Sequence, residues 1–506
     1  MLFRQYFQQA QLVDRLEHQF HDINWFISAN VGELMPLHLI EAKSIEGAKH
    51  AKYQIIGGGD TNPKTAKNPN TNQTYLGAVL HLEPYMASGN QTCPFATAIY
   101  QIVAGGFDPQ TLQLIAKSPG YQSDGEYHTF YGFELRSMQS NQWGKLSDTL
   151  LPKDKQEQCP IRMKLRLPGV NLKDWNSGPT IEINRGQIKW TKLVGGCASA
   201  CLHTAGAMHM ASEKLKGRRR KTEELYDDNG GFMAKILLDI FKLCTMAEGQ
   251  GHKPVIRLNA TSDEAWEDSH KFPTDKNQTE ELLKKHWPSR ITSQFKAMIQ
   301  KITGNLSQRF QDLVTGVAWF ISGKSLLEIF QNVQFYDYTK NPSRMKRFLR
   351  AKNNRSGEWF NNYHLTFSLA EGNRDIALSF LREGATVAAV FNVMKSPKAE
   401  GPLPATWHGF PVSDADKHDY RFLDAPGQIA GLRAKGEAKF ASTDFGFVIQ
   451  PDDPGLDPND PAVIQAKNYV DNFEKRVKSG KLAGQPGDRR NTMKKAGKRL
   501  SLPVYY

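Results

Sequence analysis

Three of the chain's five cysteines fall in two short clusters, and their spacing suits ligation better than packing. The first cluster is Thr92-Cys93-Pro94-Phe95-Ala96. The second is Gly195-Gly196-Cys197-Ala198-Ser199-Ala200-Cys201-Leu202. Two thiolates separated by three residues, after a double glycine, can chelate one metal ion or one face of an iron–sulfur cluster. The competing reading makes all five cysteines small buried hydrophobes, the commonest fate of a free thiol. Cys244 follows the apolar side of a helix and reads as core, and Cys159 reads as structural. His203 and His209, close to Cys201, are candidates for the fourth ligand of a structural zinc. Their ordinary alternative is a helix surface.

A second set of candidates is polar. Asn259, Thr261, Ser262 and Asp263 follow one predicted strand. Asp337, Tyr338, Thr339 and Lys340 close another, and Ser368, Glu371 and Asn373 close a third. In β/α folds the carboxyl ends of the strands carry the chemistry, and convergent hydroxyls, carboxylates and amides grip a polar ligand. For any one of these residues, capping the next helix is the ordinary role. For three successive strands together, a pocket is at least as good a reading. The cluster Ser413-Asp414-Ala415-Asp416-Lys417-His418-Asp419-Tyr420-Arg421 lacks calcium-loop spacing and reads as a loop salt-bridge network with Arg421. The glycine-rich turn 57–67 has no spacing match to a phosphate-binding loop.

The elements that must position these residues alternate. Short apolar strands are predicted at 76–82, 254–259, 333–337, 363–369, 386–391 and 427–432. Helices are predicted at 221–246 and 375–382. Such alternation argues for a parallel sheet, and repeated around a circle it makes a partial (β/α) barrel. The expected organisation is α/β. A helical segment spans 1–49, with Leu12, Leu16, Phe20, Ile23 and Phe26 at helical spacing. The β/α core occupies 50–96, 195–267 and 326–450. An α+β module is inserted at 97–194, a helical insertion at 268–325, and a basic flexible tail follows at 451–506.

Composition bounds the rest. Hydrophobic residues make up 39% of the 506, enough for a sizeable core. The most apolar run, Leu313 to Ile321, is too short to cross a bilayer, and the first ten residues lack a signal-peptide core. The expected compartment is a reducing cytoplasm, where clustered cysteines favour metal or redox chemistry over disulfides. Net charge is +13. Lys475, Arg476, Lys478, Lys481, Arg489, Arg490, Lys494, Lys495, Lys498 and Arg499, against Asp488 alone, supply +9 of it. Such a glycine-punctuated tail is expected to contact nucleic acid, or simply to be a solvated tail. Two further basic runs, 217–221 and 344–350, point toward nucleic acid.

The motifs also occur in a recognisable order: Tyr75 to Pro84, Ser88-Gly89, Cys93 to Ala96, Gly196 to Gly206, Ile256 to Asp263 and Phe335 to Lys340. Then come Tyr363 to Ser368 with Glu371 and Asn373, and Gly409 to Asp416 with Asp419 and Arg421. This resembles the phage and plasmid "gene product 88-like" family, over roughly residues 50–96, 196–267 and 326–450. The family's layout is similar to that of phage proteins resembling radical S-adenosylmethionine enzymes. In those enzymes three cysteines after the first strand hold a four-iron cluster, and the cofactor binds the open iron. The resemblance implies Cys93, Cys197 and Cys201 as the three ligands. It departs from the usual pattern in one respect: an insertion separates Cys93 from the other two, so both ends of that insertion must return to one place.

The leading expectation is a phage or mobile-element protein of the host-cell cytoplasm that binds an iron–sulfur cluster and S-adenosylmethionine. It would act on a polar substrate such as a nucleotide or nucleic acid. Asn259, Ser262, Asp263, Asp337, Lys340, Ser368, Glu371 and Asn373 would serve cofactor or substrate. The alternative is a non-enzymatic nucleic-acid-binding protein of phage or plasmid DNA replication with a structural metal site, zinc among the choices. A third reading is a degenerate barrel that has lost the cluster.

Overall fold

A computed structural model describes residues 57–58, 74–83, 92–93, 99–118, 121–134, 160–165, 179–195, 197, 212–287, 306–354, 359–370, 372–394, 400–435, 438 and 447–478. Two sheets organise them. The larger has ten strands in the order β1-β2-β9-β10-β11-β12-β15-β14-β13, with β16 on β12. Its members are β1 (Gly57–Gly58), β2 (Tyr75–Val79), β9 (Lys253–Arg257), β10 (Gln334–Thr339), β11 (Tyr363–Ser368), β12 (Val387–Phe391), β13 (Thr406–Trp407), β14 (Phe410–Asp414), β15 (Ile429–Arg433) and β16 (Val448–Ile449). The pairings from β2 through β14 are parallel, and β1 and β13 close the two edges antiparallel. Among the described residues the sheet does not close on itself.

The smaller sheet is antiparallel and runs β7-β6-β5-β3-β8, with β4 on β5. It comprises β3 (Ile99–Gly105), β4 (Gln122–Ser123), β5 (Tyr127–Glu134), β6 (Pro160–Leu165), β7 (Thr180–Asn184) and β8 (Ile188–Gly195). Helix α1 (Pro109–Ile115) follows β3, its first turn capped by Asp108. Ile102, Phe130, Met163 and Ile183 form a core of this sheet's own. Strands β5, β6 and β7 fall inside the expected insertion 97–194, while Cys159 lies outside the described residues.

Helices fill the connections between the parallel strands from β9 to β12 and also precede β9. The segment from 212 holds α2 (Ser212–Asp227) and α3 (Asn229–Gly249). After β9 come α4 (Lys276–His286), α5 (Leu306–Ile321) and α6 (Leu326–Ile329). Helix α7 (Pro342–Asn354) joins β10 to β11, and α8 (Arg374–Arg382) joins β11 to β12. Strand alternation then separates two faces. Leu365 and Phe367 of β11 and Phe335 of β10 pack in the main core with Ile236, Met345, Leu349 and Leu381 from the helices. On the opposite face Val255, Tyr336 and Tyr420 pack together with Tyr75 and Phe422. Near-continuous apolar strands are what burial on both faces demands.

Two expectations need correction. The helix predicted over 221–246 is two helices. Asp228 leaves helical geometry (φ −140°), and its carboxylate accepts the N–H of Gly231, so it caps α3 and interrupts the run. The segment from 451 does not begin as a flexible tail. It carries β16's exit and then α9 (Pro461–Lys478), which buries Ala462, Val463 and Ala466. No helix among the described residues is long and apolar enough to cross a membrane. The helix predicted near residues 12–26 lies outside the described residues.

Candidate functional site

Strand β2 ends at Val79, and the chain continues along the same edge through His81, Leu82 and Glu83. Thr92 and Cys93 are held against the end of β9. The Asp263 amide donates to the Thr92 carbonyl at 2.6 Å. The Thr92 hydroxyl donates to the Glu83 carbonyl at 3.1 Å. The half-buried Cys93 thiol donates to the Thr261 carbonyl at 3.5 Å. Cys93 is also close enough to Tyr226 to act on its phenol, whose pKa is raised first by burial, then by Glu264 and then by Cys93. Tyr226 donates to Glu264 at 2.5 Å.

The second cysteine cluster begins where the small sheet ends. Strands β3 and β8 pair antiparallel, with Ile99 opposite Gly195. Cys197 follows two residues later and is buried. The small sheet therefore starts and finishes at one place. Cys201, His203 and His209 lie outside the described residues. Among the described residues, no group of three or more His, Cys, Asp or Glu side chains is arranged to hold a metal ion. Cys244 is buried in the main core as read from its helical stripe, and burial pushes its thiol up to about 12.

Much of the predicted polar set converges, but on itself. Asp337, on β10, accepts the Asn259 amide at 2.6 Å, the Asn259 side chain at 3.2 Å and the Tyr363 hydroxyl at 2.7 Å. Asn259 Oδ1 in turn accepts from the Ser262 hydroxyl, the Glu264 amide and the Trp266 indole. Asp263 accepts the Lys340 amide at 2.8 Å and Arg344 Nη1 at 2.7 Å. Arg344 also grips Glu267 with two nitrogens, at 2.6 and 2.8 Å, and reaches Tyr363 at 2.9 Å. These groups tie the carboxyl ends of β9 and β10 to α7. Asn373 stands at the N-cap position of α8 without a side-chain capping bond; its amide instead closes the loop after β11, accepting the Ala370 amide and donating to the Ser368 carbonyl. Glu371 lies outside the described residues.

Burial sets the electrostatics of this network. It pushes the Asp337 carboxyl up to about 7, although the hydrogen bonds from Asn259 and Tyr363 and the charge of Arg344 all pull it down. Arg344 and Glu267 were not candidates from sequence. Arg344 stands in a basic run read as pointing toward nucleic acid, yet it is 3% exposed. The available signal was its place beside Met345 on the apolar side of α7, four residues before Phe348. Arg218 likewise sits in the basic run 217–221 and is buried.

The 413–421 cluster is an ion-pair network, as predicted, but Arg421 is not its hub. Asp414 and Asp416 pair with Arg433, and Asp416 also with Lys435. Asp419 pairs with Arg257 at 3.0 Å and accepts the Tyr336 hydroxyl at 3.2 Å. Arg421, fully buried, pairs with Asp424 at 3.0 Å. Tyr420 and Phe422 thus pack on the face of the sheet opposite the main core. Lys475, Arg476 and Lys478 fall in the last turn of α9. Lys481, Arg489, Arg490, Lys494, Lys495, Lys498 and Arg499 lie outside the described residues.

Neither the curated proteins nor the solved structures contain a significant match to the chain. The family described as Gene product 88 matches residues 191–451, just over half of the sequence. That span runs from within β8, past Cys197, through strands β9 to β16, and on it the chain belongs to the Gene product 88 family of phage proteins.

Proposed function

We propose that the protein is an iron–sulfur protein of the radical-enzyme type, with Cys93, Cys197 and Cys201 as cluster ligands and S-adenosylmethionine as cofactor. The observation that carries this reading is the pairing of Ile99 with Gly195. It returns the chain to one point after the insertion, six residues from Cys93 and two from Cys197. The sheet supports the reading: β2, β9, β10, β11 and β12 lie side by side in chain order, the winding of a partial β/α barrel. The donor set fits the group, since three thiolates can hold a four-iron cluster and leave one iron for an external ligand. Bound there, the cluster would supply an electron to the cofactor.

The chain's own residues then divide into two tasks. Thr92, Thr261 and Asp263 fix the backbone around Cys93. Asn259, Asp337, Arg344 and Tyr363 hold the neighbouring strand ends in register. Lys340 and Ser368, half-buried at the carboxyl ends of β10 and β11, face a polar substrate such as a nucleotide or nucleic acid in this reading.

The test is anaerobic purification, followed by an absorption spectrum and iron, sulfide and zinc analysis. Broad visible absorption with iron and sulfide, lost in Cys197→Ala, is the expected result. Stoichiometric zinc, or no metal, overturns it.

Charge favours a second reading, a nucleic-acid-binding protein of phage or plasmid replication with a structural metal. Most of the net charge lies at and beyond the end of α9, and polyanion binding by such a segment would be strongly salt-dependent.

A further inference from the structure

A second buried arrangement lies at the carboxyl end of β2 and involves no cysteine. Glu83 and Arg218 are 4% and 3% exposed, and Glu83 Oε2 lies 3.0 Å from Arg218 Nε. Both residues are fixed by backbone bonds. The Glu83 amide donates to the Thr222 hydroxyl at 2.7 Å, and that hydroxyl donates to the Arg218 carbonyl at 3.1 Å. The chain beyond β2 and helix α2 are therefore joined through Thr222, with the guanidinium buried between them beside the Glu83 carboxylate.

Glu83 meets the Nε side of the fork. Among the described residues, Arg218 Nη1 and Nη2 are buried and find no hydrogen-bond partner. A guanidinium keeps its charge and its five donors under all ordinary conditions, so burying its terminal edge without acceptors is unfavourable. His81, close enough to feel the Arg218 charge, repeats the pattern: its Nδ1 is buried and finds no partner among the described residues. Its imidazole is lowered to about 3 by burial first, and then by the charges of Lys221, Arg257 and Arg218, with Asp419 opposing. The Lys221 ammonium is lowered to about 8 by burial and by Arg220, with Asp239 opposing and Arg218 adding to the fall. The potential around His81 is therefore positive despite the carboxylates nearby.

We infer that Arg218 presents its Nη1–Nη2 edge to an oxyanion, the phosphate or carboxylate group of a small ligand, bound at the carboxyl end of β2 beside His81. Two parallel N–H donors match two oxygens of such a group, which is the geometry that distinguishes arginine from lysine in oxyanion recognition. The site adjoins the Cys93 loop through the hydrogen bond from Thr92 to Glu83, but it does not depend on metal at the cysteines.

The experiment is thermal melting of the full-length protein at constant ionic strength, titrated with inorganic phosphate and separately with acetate. A saturable rise in melting temperature is expected with at least one anion. A response to phosphate alone assigns a phosphoryl group, and a response to acetate alone a carboxylate. Arg218→Lys should weaken the response about tenfold or more, because the bidentate edge is lost. Removing Arg218 alone would strand Glu83, so the second variant is Glu83→Gln with Arg218→Gln, which should fold and not respond. Cys197→Ala should respond like the parent protein, which separates this site from the cluster reading. Absence of a saturable shift with either anion in the parent, or an undiminished shift in Arg218→Lys or the double variant, overturns the inference.

Discussion

Asp337 is wholly buried on a central strand, and three donors converge on its carboxyl. Burial still outweighs them, and the group titrates near 7 in the folded protein. The unfolded chain would release this proton near the ordinary aspartate value, about 4. Between those two pH values the folded state holds more protons than the unfolded one. The carboxyl's contribution to stability is therefore complete below pH about 4 and falls as pH rises toward about 7. Urea unfolding of the parent at a series of pH values should show this decline, and Asp337→Asn should flatten it. The same variant should cost about 1–3 kcal/mol at pH 5, because one amide oxygen cannot accept everything two carboxyl oxygens accept. An unchanged slope in Asp337→Asn would mean that another group titrates. Such a residue is poised structurally: it links β9 to β11 through Asn259 and Tyr363, and its polar surroundings are protein rather than solvent.

At the scale of elements, α8 depends on one aromatic contact. Phe380 meets Phe367 of β11 edge-on, with ring centroids 4.9 Å apart and planes at 79°, and both rings are fully buried. Phe380→Ala should cost about 3–5 kcal/mol in denaturant unfolding with little change in the m-value. A loss below about 1 kcal/mol would mean that the helix repacks. The strands of this layer were legible in sequence because Tyr363, Leu365 and Phe367 alternate with polar neighbours, while Val387 to Phe391 is apolar throughout. Other elements were not legible. Phe410-Pro-Val-Ser-Asp carries a proline and only two large apolar residues, yet it forms β14 because β15 offers it a parallel partner. The break at Asp228 was hidden inside a continuous apolar stripe. Several of the polar residues at the ends of β9 and β10 come together in the fold. What their types could not reveal was Arg344, which turns them toward one another. A basic residue in a basic run reads as solvated until its helix face is known.

At the scale of the molecule, charge is concentrated where the described chain ends. Deleting residues 479–506 removes seven of the ten basic residues counted from Lys475. The truncated protein should bind DNA or RNA more weakly, with a shallower dependence of affinity on salt, measurable by fluorescence anisotropy across a salt series. Equal affinity and an equal slope in the truncated protein would remove the nucleic-acid reading of this segment. The pairing of Ile99 with Gly195 has a different consequence, in the order of folding. Roughly a hundred residues separate Cys93 from Cys197 along the chain, a long excursion to close in an unfolded polymer. Once the small sheet has formed, the same excursion behaves as a loop of fewer than ten residues, and its closure entropy falls by about 2 kcal/mol. The inserted sheet has its own core, so it can form first and act as a clasp. Its completion would then be the event that lets the first parallel strand find the second.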